Sequence, residues 1–341
     1  MKAGFLTFIR DQLRTVPPVV QGNLTGKTVM LVGANAGIGL EASKHFAGMK
    51  PARLLLACRN EQKGRAAIKA IEEATGYTTA ELVLVDLDKF ASVDALVARF
   101  EKEQLALDLL VYNAGVLFTK HELTTDGWEP TLQVNSLSAM LLSVLLVPAC
   151  LRAAEARPTS HPRIIIVGSF VHYLAVLPKS VLEADNIMKE LNKPEQFEQS
   201  SMQPRYNQSK LLSLFVIRAL AKHLARTPII TINPHPGYCY SELRRNYGWL
   251  DAITDRLMEK LLARTSEQGS RDLVFAAVGG TEDEDALRGA FTNLQKVQEP
   301  SDFVISEVGQ ETQKRIWAES VAILSEASPR FREIVATHLS A

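Results

Sequence analysis

Cysteine is scarce in this chain: Cys58, Cys150 and Cys239 are the only three among 341 residues, and they lie far apart. That excludes a disulfide framework and a clustered zinc site; no metal is expected, and a reducing, cytoplasmic compartment is. An excess of one charge is missing too, because 38 Lys and Arg offset 38 Asp and Glu. A chain so balanced carries no electrostatic footprint for nucleic acid as its main partner. No uninterrupted apolar run approaches the roughly 20 residues that a membrane-spanning helix requires. What is present is core-forming material: 46% of the residues are hydrophobic, enough to bury a sizeable interior.

Residues 1–22 read as an N-terminal arm. Phe5, Leu6, Ile9 and Leu13 recur at helical spacing, with Arg10 and Arg14 among them, and the pattern stops at Pro17-Pro18. Arg10 and Asp11 interrupt any secretory apolar segment. The arm is expected to be a short amphipathic helix packed on its own domain. A helix resting on a membrane surface is the alternative.

From residue 23 to 341 short apolar runs alternate with amphipathic stretches. Strand-like runs are Thr28–Val32, Arg53–Cys58, Glu81–Val85, Asp108–Tyr112, Arg163–Val167 and Ile229–Asn233, with a weaker one at Ala290–Leu294. Helical patterns such as Glu61–Ala74, Ser92–Glu103 and Ser136–Ala156 separate them. Continuous apolar strands joined by helical crossovers predict an α/β fold. The sheet is expected to be single, doubly wound and parallel, with about seven strands and helices on both faces, in one catalytic domain. Two stretches exceed ordinary connections: an insert at 170–204 and a segment at 238–264. Long inserts at strand carboxyl ends are where such sheets bind ligands, so both are candidates for substrate handling, the second as a substrate lid.

The first strand runs into Gly33-Ala34-Asn35-Ala36-Gly37-Ile38-Gly39, followed by a helical pattern. Glycine permits a tight turn and lets the backbone approach a pyrophosphate seated at the helix N-terminus. After the second strand come Arg59, Asn60 and Lys63, where an NAD-binding sheet would carry an acid; a cation accommodates the phosphate of NADP(H) instead. Tyr206 and Lys210 stand four apart, so on a helix they share a face. Alone that pair means little in a chain with seven tyrosines.

Taken together, the Gly-x-x-x-Gly-x-Gly turn and the Tyr-x-x-x-Lys pair resemble the short-chain dehydrogenase/reductase family, and within it the retinol dehydrogenase and carbonyl reductase branch. The resemblance runs in order from about Asn23 to the C-terminal region and implies a Rossmann-type fold. It implies that Asp86 and Leu87 lie near the adenine, and that Asn113-Ala114-Gly115 lines the cofactor. Pro236, Gly237, Cys239 and Ser241 match the stretch that closes over the nicotinamide. Asn135, Ser169, Tyr206 and Lys210 match the catalytic set, with Asn135 holding a water that relays the proton. One departure is Val32, where the family usually has Thr before the first glycine, so a local hydrogen bond must be replaced or lost.

The implied reaction is NADPH-dependent reduction of a ketone or aldehyde to the alcohol, or the reverse oxidation. Tyr206 would protonate the developing alkoxide while Ser169 bonds the same oxygen. An unperturbed phenol has a pKa near ~10, and an ammonium about 4 Å away contributes ~4 kcal/mol at an effective dielectric of ~20. Lys210 can therefore favour proton transfer by Tyr206. Leu243, Tyr247 and Trp249, with Leu250 and Leu257, suggest an apolar substrate wall, against which Arg244 and Arg245 stand as counter-evidence. His172 and His235 show no partner pattern and read as satisfied or exposed histidines. Cys150 reads as core, and Cys239 as core or an oxidisable thiol.

Many family members dimerise through the helices corresponding to Ser136–Ala156 and Tyr206–Ala225. The spacing from Ser169 to Tyr206 is much longer than the family's usual one and resembles monomeric carbonyl reductases. Val181–Leu191 is expected to form a covering helix, which makes a monomer the expectation and a peripheral loop beside a dimer the alternative. An NADP(H)-sensing regulator without turnover is a second function class, disfavoured by the intact catalytic set. A sugar-nucleotide epimerase is disfavoured by Arg59 and the apolar lid.

Overall fold

A computed structural model describes residues 4–198, 204–240, 243 and 258–339. At its centre is an eight-stranded sheet in the order β3-β2-β1-β4-β5-β6-β7-β8. The strands are β1 (Thr28–Val32), β2 (Arg53–Cys58), β3 (Ala80–Leu84), β4 (Leu109–Tyr112), β5 (Arg163–Ile166), β6 (Ile230–His235), β7 (Ala290–Asn293) and β8 (Lys296–Gln298). Neighbours from β3 to β7 pair in parallel, and only β7–β8 is antiparallel. The doubly wound parallel sheet expected from the sequence is therefore present, with one strand more than about seven.

The apolar strand runs follow from burial on both faces. Along β1, Met30 and Val32 enter one core layer while Val29 and Leu31 enter the other. Helix α1 is Phe5–Gln12; α2 (Gly37–Gly48) and α3 (Glu61–Thr75) follow β1 and β2. Helix α4 (Phe90–Lys102) leads to β4, and α5 (Ser138–Leu145) and α6 (Val147–Ala156) lead to β5. Helix α7 (Pro204–His223) precedes β6, and α8 (Ser266–Val278) precedes β7. Helices α9 (Glu307–Ala327) and α10 (Pro329–Ile334) end the chain on the face that carries α5 and α7.

Three local expectations change. Ser136–Ala156 is not one helix: a π-helical turn at Gln133–Leu137 precedes α5, and the path bends by 42° at Leu146. Pro148 stands in the first turn of α6; it lacks an N–H and its ring clashes with the preceding turn, so the helix restarts there. Val181–Leu191 is likewise split, into Lys179–Leu182 and Ile187–Leu191, because the Asn186 side chain accepts the Lys189 N–H and caps a new helix. Strand β8 has no turn signature in the sequence. Its hairpin turns on Leu294 and Gln295 at φ +50° and +58°, conformations that normally favour Gly or Asn. The buried Asp272 carboxylate accepts the Gln295 N–H at 2.7 Å and holds that turn.

Among the described residues no single helix is long and apolar enough to cross a membrane. The bent pair Pro130–Leu145 and Val147–Ala156 passes on length and composition, but its apolar side chains belong to the core.

Candidate active site

The candidate cofactor cradle lies at the carboxyl ends of β1, β2 and β4. Gly33 and Gly37 adopt φ +80° and +55°, which L side chains rarely take. At Gly39 a side-chain carbon would stand 2.2 Å from the Gly33 carbonyl oxygen and 2.6 Å from Asn113 Nδ2. The turn is thus pressed against Asn113, which donates to the Gly33 oxygen at 2.9 Å. This cross-strand bond ties the turn in place although Val32 supplies no hydroxyl. Among the described residues no side chain caps α2 at Ala36, which leaves its first turn open in the way that suits a pyrophosphate. Asn35, Ala36 and Ile38 lie in this same turn. These features fit a dinucleotide.

The second-strand cations are placed less simply. Arg59 is exposed, donates to Asp88 at 2.8 Å and lies 3.9 Å from Asp86. Asn60 accepts the Lys63 backbone N–H and caps α3, so its side chain has a local structural use. Asp86 also pairs with Lys89 at 3.2 Å, and the Leu87 carbonyl accepts from the Ser138 hydroxyl. Burial and the neighbouring Asp86 push the Asp88 carboxyl up.

The candidate reacting groups gather where β4, β5 and α7 meet. Lys210 is 5% exposed, and burial pushes its pKa down to about 8. Its ammonium donates to the Val167 carbonyl at 2.8 Å and lies 5.7 Å from the Tyr206 ring centre. A side-chain carbon at Gly115 would stand 3.8 Å from that Nζ and 3.5 Å from Asn135 Oδ1, so these three positions share one small space. Asn135 lies in the π-helical turn. Its side chain accepts from Val116 N at 2.8 Å and donates to Val116 O and to Ser209 Oγ, each at 2.9 Å. The amide thus positions the loop after β4 against α7. Ser209 in turn donates to the Tyr206 carbonyl. Sequence reasoning missed Ser209, although it stands directly before Lys210.

Ser169 follows β5 in an extended conformation, with φ −158°, and opens a 3-10 turn at Phe170–Leu174. Gly168 is required just before it, because a side-chain carbon there would lie 2.1 Å from Asn233 Oδ1. After β6, Gly237 adopts φ +88°, and Arg264 packs against it and donates to the Pro236 carbonyl at 3.3 Å. Cys239 is buried, its thiol directed at the Pro236 carbonyl and packed against Gly269 of α8, which favours the core reading. Burial pushes the Cys150 thiol well up, as expected of a core cysteine.

Of the expected substrate and closing residues, Leu243 is half-buried. Ser241, Tyr247 and Trp249 lie outside the described residues, as do Arg244, Arg245, Leu250 and Leu257. The stems of the 238–264 segment are described and bridge at Cys239 and Arg264. The arm reaches them: Gln12 donates to the Tyr238 and Leu262 carbonyls, each at 2.7 Å, and Phe8 packs 5.3 Å from the Phe170 ring. Helix α1 therefore packs on the chain's own site, while Leu6 and Leu13 face outward. Nothing in the arm's sequence identified Gln12 as the contact.

A family model described as short chain dehydrogenase matches residues 27–174. A short-chain dehydrogenase of Penicillium roqueforti is 34% identical over 333 residues, covering 95% of this chain and 84% of that protein. Another from Emericella nidulans is 35% identical over 275 residues, covering 79% of this chain and 85% of that protein. Among solved structures, NADPH-bound carbonyl reductase from chicken fatty liver aligns with a TM-score of 0.57 at 21% identity. It covers 82% of this chain and 96% of that one, a likeness of fold.

Proposed function

This chain belongs to the short-chain dehydrogenase/reductase family, and from that premise we propose that it is an NADP(H)-dependent carbonyl reductase, or the alcohol dehydrogenase running the reverse reaction, acting on an apolar ketone or aldehyde in the cytoplasm. The observation that carries the reading is the buried Lys210 ammonium beside Tyr206, in the same small space as Asn135 and Gly115.

The Gly33–Gly39 turn and the open first turn of α2 would hold the pyrophosphate, with Arg59 and Lys63 on the 2′-phosphate. A nicotinamide cofactor held there would supply the hydride that the carbonyl carbon takes up. Tyr206 donates its phenolic proton to the carbonyl oxygen as negative charge develops on it. Ser169 Oγ donates a hydrogen bond to that same oxygen and holds it in line with Tyr206. Lys210 remains largely protonated below pH 8, and its charge stabilises the phenolate left behind. Asn135 keeps Val116 and Ser209 in place, which sets the spacing of the loop after β4 from α7.

An apolar substrate is supported by side chains beside the catalytic helix. Leu174 and Val176, in the stretch that follows Ser169, present exposed apolar surface. Burying even ~100 Å² of such surface against substrate favours an apolar compound by about 2.5 kcal/mol. The test is NADPH oxidation over ketones and aldehydes graded by size and polarity. Turnover of apolar carbonyls is expected. Turnover of polar or anionic carbonyls alone would overturn the substrate class, and NADPH binding without any turnover would favour a cofactor sensor.

A further inference from the structure

We propose that His172 and His235 are a pair of positioning residues that clamp the Ser169–Phe170 peptide from its two sides and thereby set the direction of the Ser169 hydroxyl. The inference rests on the catalytic reading of Ser169 given above.

The last sheet-like bond before the serine runs from Gly168 N to Pro234 O at 2.8 Å. Beyond it the Ser169–Phe170 peptide has no strand partner. Its N–H donates to His235 Nδ1 at 3.1 Å. Its carbonyl accepts from His172 Nδ1 at 2.8 Å, besides a longer 3-10 bond from His172 N at 3.3 Å. The two rings come from different parts of the fold: His172 lies in the turn after β5, and His235 ends β6.

The outer contacts of the rings determine their tautomers. Ser301 N–H points at His172 Nε2 at 3.3 Å, so that nitrogen must accept, and the proton sits on Nδ1 facing the Ser169 carbonyl. His235 Nδ1 takes the Phe170 N–H and, at 3.4 Å, the Gly237 N–H, so its own proton sits on Nε2. The pair thus holds one peptide with opposite tautomers, one ring donating and the other accepting. Both rings are buried, at 1% and 5% exposure, and burial pushes both pKa values down, which keeps them neutral. The rings are themselves held by aromatic packing, with Phe291 4.5 Å from His172 and 6.1 Å from His235.

The serine needs such a clamp. Its Oγ has one long bond within the turn, accepting from Val171 N at 3.4 Å. With the following peptide released, rotation by about 30° about the Ser169 N–Cα bond would carry a hydroxyl oxygen lying about 2 Å off that axis by roughly 1 Å. A misplacement of about 1 Å in a reacting group is enough to cost ~10²-fold in rate.

The experiment is a double-mutant cycle on the full chain, with kcat, KM for carbonyl and NADPH, NADPH affinity by fluorescence and thermal stability all measured. His172→Leu and His235→Leu remove the clamp. His172→Asn keeps a donor near the Nδ1 position, and His235→Asn keeps an acceptor there. Each Leu variant is expected to lose 10- to 100-fold in kcat with NADPH affinity within about twofold, and each Asn variant to recover most of the loss. In a Ser169→Ala background the Leu substitutions should cost little further, because the group they position is gone. Equal losses with and without the serine hydroxyl, or parent-level kcat in both Leu variants, would overturn the clamp. If a Leu variant does not fold, failure of the Asn variant at the same site to retain kcat overturns it equally. Ser169→Ala at full activity would instead refute the catalytic reading of the serine, and the clamp with it.

Discussion

The Lys210 ammonium donates to the Val167 carbonyl at 2.8 Å, binding the middle of α7 to the end of β5 two residues before Ser169. One side chain thereby sets the distance between the helix that carries Tyr206 and the strand that carries the serine. Lys210→Met removes both the tie and the charge while keeping an apolar stem of similar length. It is expected to lower kcat by two decades or more. It should also leave the Val167 carbonyl unpaired in the interior, costing about 1–3 kcal/mol of stability. Steady-state rates and urea unfolding measure the two effects separately, and a fully active variant would contradict the assigned role.

Tyr206→Phe keeps the ring against Lys210 and removes only the proton. Turnover should fall by two or more decades while NADPH still binds. Fluorescence titration alongside rate measurement distinguishes loss of the acid from loss of the cofactor site. Near-full activity would mean that another group donates the proton.

Arg59 is expected to give a ten- to hundredfold preference for NADP(H) over NAD(H). Its present partner Asp88 forms an exposed pair, which contributes only about 0–1 kcal/mol. A charge-assisted bond to phosphate contributes roughly 1.5–3 kcal/mol, so the guanidinium gains by exchanging one for the other. Arg59→Ala should abolish most of the preference in kcat/KM, and Asp88→Asn should strengthen it. Equal use of both cofactors by the parent would refute the assignment.

A monomer is expected in solution. Helix α9 lies along α7, and α10 packs on α5, so the chain's own C-terminal helices cover those two helices. Ile316, Leu324 and Phe331 are buried there, and Trp317 stacks on His223 at 4.7 Å. The split insert joins them: Arg315 donates to the Leu182 carbonyl, and Glu319 accepts the Met188 N–H. Light scattering at micromolar concentration should return the mass of one chain; twice that mass would be decisive against it.

Acid should destabilise the fold through His172. Burial lowers its pKa from 6.5 to about 4, so the folded state resists a proton that the unfolded chain accepts. The stabilisation is complete above about pH 6.5 and is lost as pH falls through 4. Between pH 7 and 4.5 this amounts to roughly 2–3 kcal/mol from the one ring. Urea unfolding at both values should show a smaller acid loss for His172→Asn than for the parent. The same loss in both would place the sensitivity elsewhere.

Sequence alone determined the parallel part of the sheet and the order of the candidate site motifs along it. β1, β2, β4, β5 and β6 announce themselves as apolar runs because both their faces are covered, while the edge strand β3 is only partly buried. The Gly33–Gly39 turn and the Tyr206–Lys210 pair are local patterns whose spacing carries their meaning. Contacts between distant segments were not legible in this way. The bend at Leu146, the hairpin on Leu294 and Gln295, and the clamp on Ser169 each depend on what packs against a segment, such as Asp272 under the hairpin or Ser301 behind His172. A lone histidine has no periodicity, and its tautomer is set by a donor 129 residues away in the chain. Only the tertiary structure could decide that two histidines without a motif meet at one peptide, because the sheet and the C-terminal segment deliver their partners from opposite directions.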